Sequence, residues 1–111
     1  MGSWCRPCRQ ENSNIVEAYE KYKKANFKNA KGFVVLNVSL DKDEKAWKAA
    51  IKTDGLNWNS HAWDKQSEVS RKYGVTSIPY GFLINGEGKI VAQGNELRGI
   101  GLHIQIEKLF K

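Results

Sequence analysis

The sequence predicts a single α/β domain in which helices and strands alternate along residues 1–111. Three observations support this prediction: helical periodicity in 8–26, an apolar β-branched run in 32–40, and a strand–turn–strand pattern in 77–94. A chain of 111 residues is long enough to bury a hydrophobic core as one domain. We therefore expect a mixed sheet, mostly parallel, with helices on both faces and an antiparallel hairpin at one edge.

The first half of the chain reads as helix, strand and helix. Apolar residues of the first helix recur at helical spacing: Ile15, Ala18, Tyr19 and Tyr22. Segment 32–40 is almost continuously apolar, which is typical of a strand that is buried on both faces. Asp41 or Asp43 can cap the second helix, which we expect to end near Gly55.

The second half reads as loop, helix, hairpin and helix. Segment 56–63 is predicted to be a loop, and 64–74 a helix with Val69 and Tyr73 facing inward. A proline leads into the first strand of the hairpin in 77–94, and a Gly-Glu-Gly turn separates its strands. The tail predicts a final helix whose buried side carries Ile100, Ile104 and Leu109 or Phe110.

Composition and charge exclude several classes of protein. No apolar run approaches the roughly 18 residues of a membrane span. The net charge of +6 comes mainly from lysines, many of them within 21–31. No aromatic-interleaved basic motif or glycine-rich phosphate loop accompanies them, so a solvated helical face is favoured and no nucleic-acid partner is predicted.

The cysteines give the clearest chemical signal, because the only two of them, Cys5 and Cys8, form a C-x-x-C. If Cys5 starts the first helix, Cys8 lies about 300° around and about 4.5 Å along the axis, so the side chains share a face. This spacing suits the Cα separation of about 4.4–6.8 Å that a disulfide requires. Unpaired N–H groups and the positive end of the helix dipole then favour a thiolate at Cys5.

Three neighbouring residues are predicted to tune this pair. Arg6 and Arg9 add positive charge beside the thiols. Pro7 fits the first helical turn, where its missing N–H costs nothing. We expect Cys5 to be the exposed attacking thiol with a lowered pKa, and Cys8 to be the resolving thiol.

Two other interpretations of the C-x-x-C are weaker. A structural disulfide across two residues would close a small loop and add little stability. A zinc site would need both histidines, His61 and His103, whose separation does not match a finger spacing, so no metal is predicted. His61 lies between Trp58 and Trp63, which favours a loop histidine packed among tryptophans.

The chain contains, in order, WCRPCRQE, FVVLNVSLDKDEKAWKAAI, YGVTSIPYGFLINGEGKIVA and the terminal helix. Together these segments resemble the thioredoxin superfamily, in particular its TlpA/ResA-like branch of thiol–disulfide oxidoreductases. The resemblance covers essentially the whole chain. It implies a thioredoxin-like fold with Cys5 as nucleophile, Cys8 as resolving cysteine, and no cofactor beyond their redox-active disulfide.

The resemblance also implies further site residues. Ile78 and Pro79 match the cis-proline loop that faces the dithiol and docks an extended substrate chain. Trp4 can cover one side of the sulfurs and is predicted to contact the substrate as well. A trans proline at the start of an edge strand is the alternative. Glu11, three residues after Cys8, matches an acidic position suited to proton transfer, although a first-turn glutamate that favours the helix dipole is an equal alternative.

The sequence departs from the family pattern in two ways. Arg6 replaces the glycine of the thioredoxin C-G-P-C, which should shift the reduction potential and leaves the physiological direction open. The family also has a central strand directly before its W-C-x-x-C, and no residues for such a strand precede Trp4. An N-terminally truncated domain that is less stable and can associate with itself through unpaired strand edges is the favoured explanation. The alternatives are a Met-Gly-Ser leader, or a gap closed by rearrangement or by a partner strand.

The sequence thus predicts an enzyme that exchanges disulfides with protein substrates through Cys5 and Cys8. Its partners would be protein thiols or disulfides and an upstream redox partner that recycles the dithiol. A periplasmic or otherwise exported bacterial protein is favoured, with a cytoplasmic thioredoxin as the alternative. The main functional alternative is a thioredoxin-fold binding module with little turnover.

Overall fold

A computed structural model describes all 111 residues and confirms an α/β domain. The helices are α1 Arg6–Tyr22, α2 Glu44–Thr53, α3 Glu68–Lys72 and α4 Ile100–Glu107, with a 3₁₀ turn at Gly94–Leu97. The strands are β1 Asn26–Phe27, β2 Ala30–Lys31, β3 Asn37–Ser39, β4 His61–Trp63, β5 Phe82–Ile84 and β6 Ile90–Gln93. None of these helices combines the length and the apolarity needed to span a bilayer.

Strand pairing is mixed, as predicted, but the expectation of one mostly parallel sheet is wrong, because the ladders stay separate and only one of the three is parallel. β3 and β4 pair in parallel, with Asn37 opposite His61, and α2 forms the crossover between them. β5 and β6 form the predicted antiparallel hairpin, and β1 with β2 forms a second hairpin that the sequence did not indicate. The result is three two-stranded sheets, with no ladder joining β3 to β5.

The interpretation of 32–40 as a long strand buried on both faces is wrong. β3 occupies only Asn37–Ser39 of this segment. Val34 and Leu36 are 82% and 65% exposed. Because β4 pairs with β3 over three residues, the apolar residues before Asn37 lie outside any ladder. Apolar composition therefore indicated the strand but overestimated its length and its burial.

The interpretation of 56–63 as a loop is wrong at its end, because β4 begins at His61. Polar residues precede this strand, and it is three residues long, which is too short for periodicity to reveal. The pairing is instead a tertiary effect, because α2 returns the chain alongside β3 in the parallel direction.

The first helix buries the predicted face, whereas the third does not. Ala18 and Tyr22 of α1 are buried, and Ile15 packs against the same core. Val69 and Tyr73, predicted to face inward, are exposed, and α3 buries no residue. With five residues α3 is little more than one turn, so it has almost no continuous face to bury.

The fourth helix buries a different face from the predicted one. Leu102 and Ile106 are buried, whereas Ile100 and Ile104 are exposed. Both pairs are spaced four residues apart, so both satisfy helical periodicity. Packing against α1 selects Leu102 and Ile106, and Leu109 packs beside them as one of the two predicted alternatives.

The ends of α2 follow the sequence signals. Asp43 caps the helix, because its carboxylate accepts the N–H of Lys45 at 3.1 Å. Asp41, the other candidate, is buried and accepts hydrogen bonds from serine hydroxyls instead. The helix ends at Thr53, close to Gly55 as predicted.

The core joins α1, the β5–β6 hairpin and α4. Its buried residues are Ala18, Tyr22, Phe27, Leu83, Ala92, Leu102 and Ile106. Packing of these residues fixes α1, whose first turn carries both cysteines, relative to the hairpin that follows Pro79. The core therefore sets the position of the two segments on which the predicted site depends.

The Tyr22 phenol gives the fold a pH dependence. Its hydroxyl donates to Glu107 and lies 3.2 Å from Nδ1 of His103. Burial, together with the Glu107 carboxylate, raises the pKa of Tyr22 from 10.0 to about 12. Because the folded-state pKa is the higher one, the contribution of Tyr22 to stability is complete below pH 10 and is lost as the pH rises through about 12.

We expect the pH-dependent contribution of the Tyr22 hydroxyl to stability to be measurable when the wild type is compared with Tyr22→Phe. Urea unfolding between pH 8 and 12 should show that the difference in unfolding free energy between the two proteins narrows above about pH 10. Changes at other groups cancel in this comparison. A difference that stays constant over the whole range would contradict the assignment.

Candidate active site

The cysteine pair lies at the start of α1. Cys5 and Cys8 form a disulfide with their Cα atoms 5.2 Å apart, within the predicted range. Cys5 is the N-cap of α1, and its sulfur accepts the N–H of Cys8 at 3.2 Å. Pro7 lies in the first turn, where no N–H is required. The predicted placement of the pair at a helix N-terminus is confirmed.

This placement has a direct electrostatic consequence for Cys5. The Cys8 N–H belongs to the first turn of α1, whose N–H groups have no carbonyl partner within the helix. It points at the Cys5 sulfur, and the positive end of the α1 dipole lies at the same place. Both effects favour negative charge on that sulfur once the disulfide is opened.

The cysteines are less accessible than predicted. Cys5 is 6% exposed and Cys8 is 2% exposed, so the expectation of an exposed Cys5 is wrong for the oxidised pair. The bond to Cys8 and the hydrogen bond from the Cys8 N–H hold the Cys5 sulfur against the first turn of the helix. Cys5 is nevertheless the more accessible of the two sites of attack.

The residues that flank Cys5 project outward. Trp4 is 67% exposed, and its indole packs against Gly2, where even a Cβ would lie only 2.8 Å from the ring. Arg6 is exposed and forms no ion pair, so its charge near the disulfide is uncompensated. Contact of Trp4 with a substrate stays a prediction.

The loop before β5 has the cis peptide bond that the resemblance implied, and its docking of substrate beside the dithiol stays a prediction. The peptide bond between Ile78 and Pro79 is cis. The guanidinium of Arg98 donates to the Pro79 carbonyl at 3.0 Å. Sequence reasoning missed Arg98, because nothing local to it indicates a contact with a loop 19 residues earlier.

Glu11 connects α1 to the start of α4. Its carboxylate accepts the N–H of Gly99 at 3.1 Å and the side-chain amide of Asn14 at 3.2 Å. Glu11 is the sixth residue of α1, and the first turn contains no acidic residue, so the interpretation as a first-turn glutamate is wrong. Its role in proton transfer stays a prediction. Two adjacent residues thus contact both parts of the predicted site: Arg98 contacts the cis-proline loop, and Gly99 contacts the helix that carries the cysteines.

The side chain of Arg9 is paired rather than free. Its Nε and one terminal nitrogen donate to the two carboxylate oxygens of Asp54, the latter at 2.8 Å, and its other terminal nitrogen donates to the Ser3 carbonyl at 3.0 Å. The buried Asn12 also donates to Asp54, at 2.8 Å. Hydrogen bonding from the Arg9 guanidinium holds the pKa of Asp54 below its ordinary value, and Asp54 in turn raises the pKa of Arg9.

Asp54 and Asn12 were not predicted as site residues. Asp54 lies at the C-cap of α2, 45 residues from Arg9, so its sequence context indicates only a helix end. Asn12 lies on α1 one turn beyond Cys8, and as a polar residue within a helix it gives no local signal of its burial or of its contact with Asp54.

The two histidines lie in separate environments. The ring of His61 stacks on Trp58 with 5.7 Å between ring centroids, and its Nε2 lies 3.2 Å from the Leu56 carbonyl. Packing of His61 is therefore confirmed for one tryptophan, Trp58, and His61 lies on β4 rather than in a loop. His103 contacts Tyr22 in the core instead.

Comparison with known proteins matches residues 1–90 to a family model described as thioredoxin-like. The thiol-disulfide oxidoreductase ResA of Bacillus thuringiensis subsp. konkukian is 33% identical over 110 residues, which cover 99% of this chain and 58% of that protein. The thioredoxin domain of a thiol-disulfide oxidoreductase from Bacteroides vulgatus is 33% identical, with a TM-score of 0.83 and coverage of 97% and 73%. A thiol-disulfide oxidoreductase from Bacteroides fragilis is 32% identical, with a TM-score of 0.79 and coverage of 96% and 74%.

A disulfide at a helix N-terminus and a cis-proline loop on a mixed α/β frame, together with these matches, define the class: the chain belongs to the thioredoxin-like family. Within that family its relatives include the thiol-disulfide oxidoreductases named ResA from several Bacillus species. The chain spans about half the length of the curated ResA proteins that it matches, from 46% to 58%.

Proposed function

We propose that the chain is a thiol–disulfide oxidoreductase that exchanges disulfides with protein substrates through Cys5 and Cys8. The observation that carries this proposal is the bonded pair at the N-terminus of α1, with the Cys8 N–H directed at the Cys5 sulfur. A site of this kind stabilises a thiolate without any cofactor. The names of the relatives support the same chemistry.

The reaction follows from the order of the two cysteines. In the reduced chain the Cys5 thiolate attacks one sulfur of a substrate disulfide, which forms a mixed disulfide and releases the other substrate sulfur as a thiolate that takes up a proton. The Cys8 thiol then loses its proton and attacks the Cys5 sulfur. This step closes the disulfide seen in the structure and releases the second substrate thiol. Two electrons and two protons have passed to the substrate, and the reverse sequence oxidises a dithiol.

Two features support an extended protein chain as the substrate. The cis-proline loop has exposed neighbours, since Tyr80 is exposed and Ile78 and Pro79 are only half-buried. Trp4 offers a large exposed aromatic surface directly beside Cys5. An extended segment can pair with loop backbone while apolar side chains contact the indole.

The resemblance to ResA-like proteins supports an exported, periplasmic location and a separate redox partner that recycles the pair. The direction of exchange follows from the reduction potential. A value near −270 mV would indicate a reductant, and a value near −120 mV would indicate an oxidant. The uncompensated charge of Arg6 favours a potential above that of a thioredoxin with glycine at this position, because it stabilises the reduced thiolate.

An insulin-disulfide reduction assay tests the proposal. With dithiothreitol as the source of electrons, we expect the native chain to precipitate insulin faster than dithiothreitol does alone. The matched control is the same protein after reduction and alkylation of both thiols. A native rate equal to that of the alkylated protein would contradict the enzyme and leave the low-turnover binding module as the function.

A further inference from the structure

The contacts of Asp54 place a carboxylate against the residue that follows Cys8 in the chain. Asp54 holds the Arg9 guanidinium with two hydrogen bonds, and Arg9 directly follows Cys8 in the chain. The backbone N–H of Arg9 donates to the Cys5 carbonyl at 3.0 Å, so Arg9 belongs to the helical turn that contains both cysteines. Its guanidinium also reaches back to the Ser3 carbonyl, two residues before Cys5.

This network is partly screened from solvent. The side chains of Asp54 and Arg9 are 14% and 30% exposed, and Asn12, which donates to the same carboxylate, is buried. Bidentate pairs of this kind fix the orientation of the guanidinium and couple more strongly than exposed ion pairs. Asp54 therefore links the C-terminal end of α2 to both sides of the C-x-x-C turn.

We propose that Asp54 is a positioning residue of the dithiol centre, which sets the reduction potential of Cys5 and Cys8 by holding and neutralising Arg9. A free cation at Arg9 would stabilise the Cys5 thiolate and so make the disulfide a stronger oxidant. With Asp54 in place, the pair of side chains adds no net charge beside the sulfurs. Arg6 is then the uncompensated cation of the turn.

The charge arithmetic predicts shifts of opposite sign for the two partners. Asp54→Asn removes a negative charge but keeps the size of the side chain, so it should favour the dithiol. Arg9→Gln removes a positive charge and leaves the Asp54 carboxylate without its partner, so it should favour the disulfide. The double variant removes both charges and should lie close to the wild type. Asp41 also faces Arg9 and is unchanged in all of these proteins.

The experiment measures the equilibrium between the protein disulfide with two glutathione thiols and the protein dithiol with glutathione disulfide. The fraction of dithiol is read from the mass added by a thiol-alkylating reagent. We expect Asp54→Asn to raise the equilibrium constant for the dithiol by about tenfold, which corresponds to about 30 mV for a two-electron couple. Arg9→Gln should lower the constant by a similar factor.

Asp43→Asn is the matched control, because Asp43 is an exposed carboxylate at the other end of the same helix. It makes the same change in net charge and should leave the equilibrium within about twofold of the wild type. Circular dichroism establishes that each variant is folded. If both single variants shift the equilibrium in the same direction, or if folded Asp54→Asn stays within twofold, the proposal is overturned, because a merely structural role would not produce opposite signs.

This inference rests on the redox chemistry of the proposed function, but its test needs no protein substrate. If the native chain does not reduce insulin, but Asp54→Asn and Arg9→Gln still shift the dithiol equilibrium in opposite directions, only the proposed function is contradicted. Normal insulin reduction with equal potentials in all variants would contradict only the role of Asp54.

Discussion

Cys5→Ser is expected to abolish insulin reduction, whereas Cys8→Ser is expected to stop the reaction at the mixed disulfide. Cys5 carries the sulfur that the helix N-terminus stabilises, and it is the more accessible of the two. Without Cys8 no second thiol can release the substrate from Cys5. Non-reducing electrophoresis should therefore show a covalent adduct with the substrate for Cys8→Ser and none for Cys5→Ser.

The control for both variants is Ser13→Ala, which changes an exposed residue of the same helix and should keep the wild-type rate. Turnover that survives in Cys5→Ser would exclude the proposed mechanism. An adduct formed by Cys5→Ser but not by Cys8→Ser would reverse the roles of the two cysteines. In either case the argument from the N-cap position would be wrong.

The part of the site that the sequence predicted is local in the chain. The spacing of Cys5 and Cys8, with Pro7 between them, specifies a first helical turn and hence the distance between their Cα atoms. The cis peptide bond before Pro79 could not be predicted from local sequence, because an isolated X-Pro bond favours trans. Only the family resemblance indicated the cis form.

The part that the sequence did not predict depends on contacts between distant residues. Asp54 meets Arg9 across 45 positions, and Glu11 meets Gly99 across 88, and neither pair has a local signal. The exposure of Cys5 was overestimated for a different, local reason, since the bond to Cys8 and the Cys8 N–H hold its sulfur against the first turn of the helix. Charges near a site can thus be listed from sequence, but whether they are compensated depends on the fold.

Dependence on distant contacts also explains why the buried face of α4 was predicted wrongly. Its apolar residues occupy every second position from Ile100 to Ile106, so two helical faces are equally apolar. Only the surface offered by α1 decides between them, and it accepts Leu102 and Ile106. Because this face also fixes the start of α4, where Gly99 meets Glu11, the choice bears on the site as well as on the core.

Ile106→Ala is expected to destabilise the fold by about 2–5 kcal/mol, the range for truncating a large core side chain to alanine. Ile106 is fully buried in the cluster that joins α1, α4 and the β5–β6 hairpin. Removing three carbon atoms there loses apolar burial and leaves a cavity that the surrounding helices cannot fill completely. Urea unfolding at neutral pH measures the loss as a lower midpoint with an unchanged slope.

Ile104→Ala is the matched control, since it makes the same truncation two residues earlier on the same helix, where the side chain is 50% exposed. Its cost should be clearly smaller, because much of that side chain remains in water in the folded state. Equal losses for the two variants would mean that α4 does not use the Leu102–Ile106 face. In that case the contact between Gly99 and Glu11, which depends on the same helix orientation, would lose its structural basis.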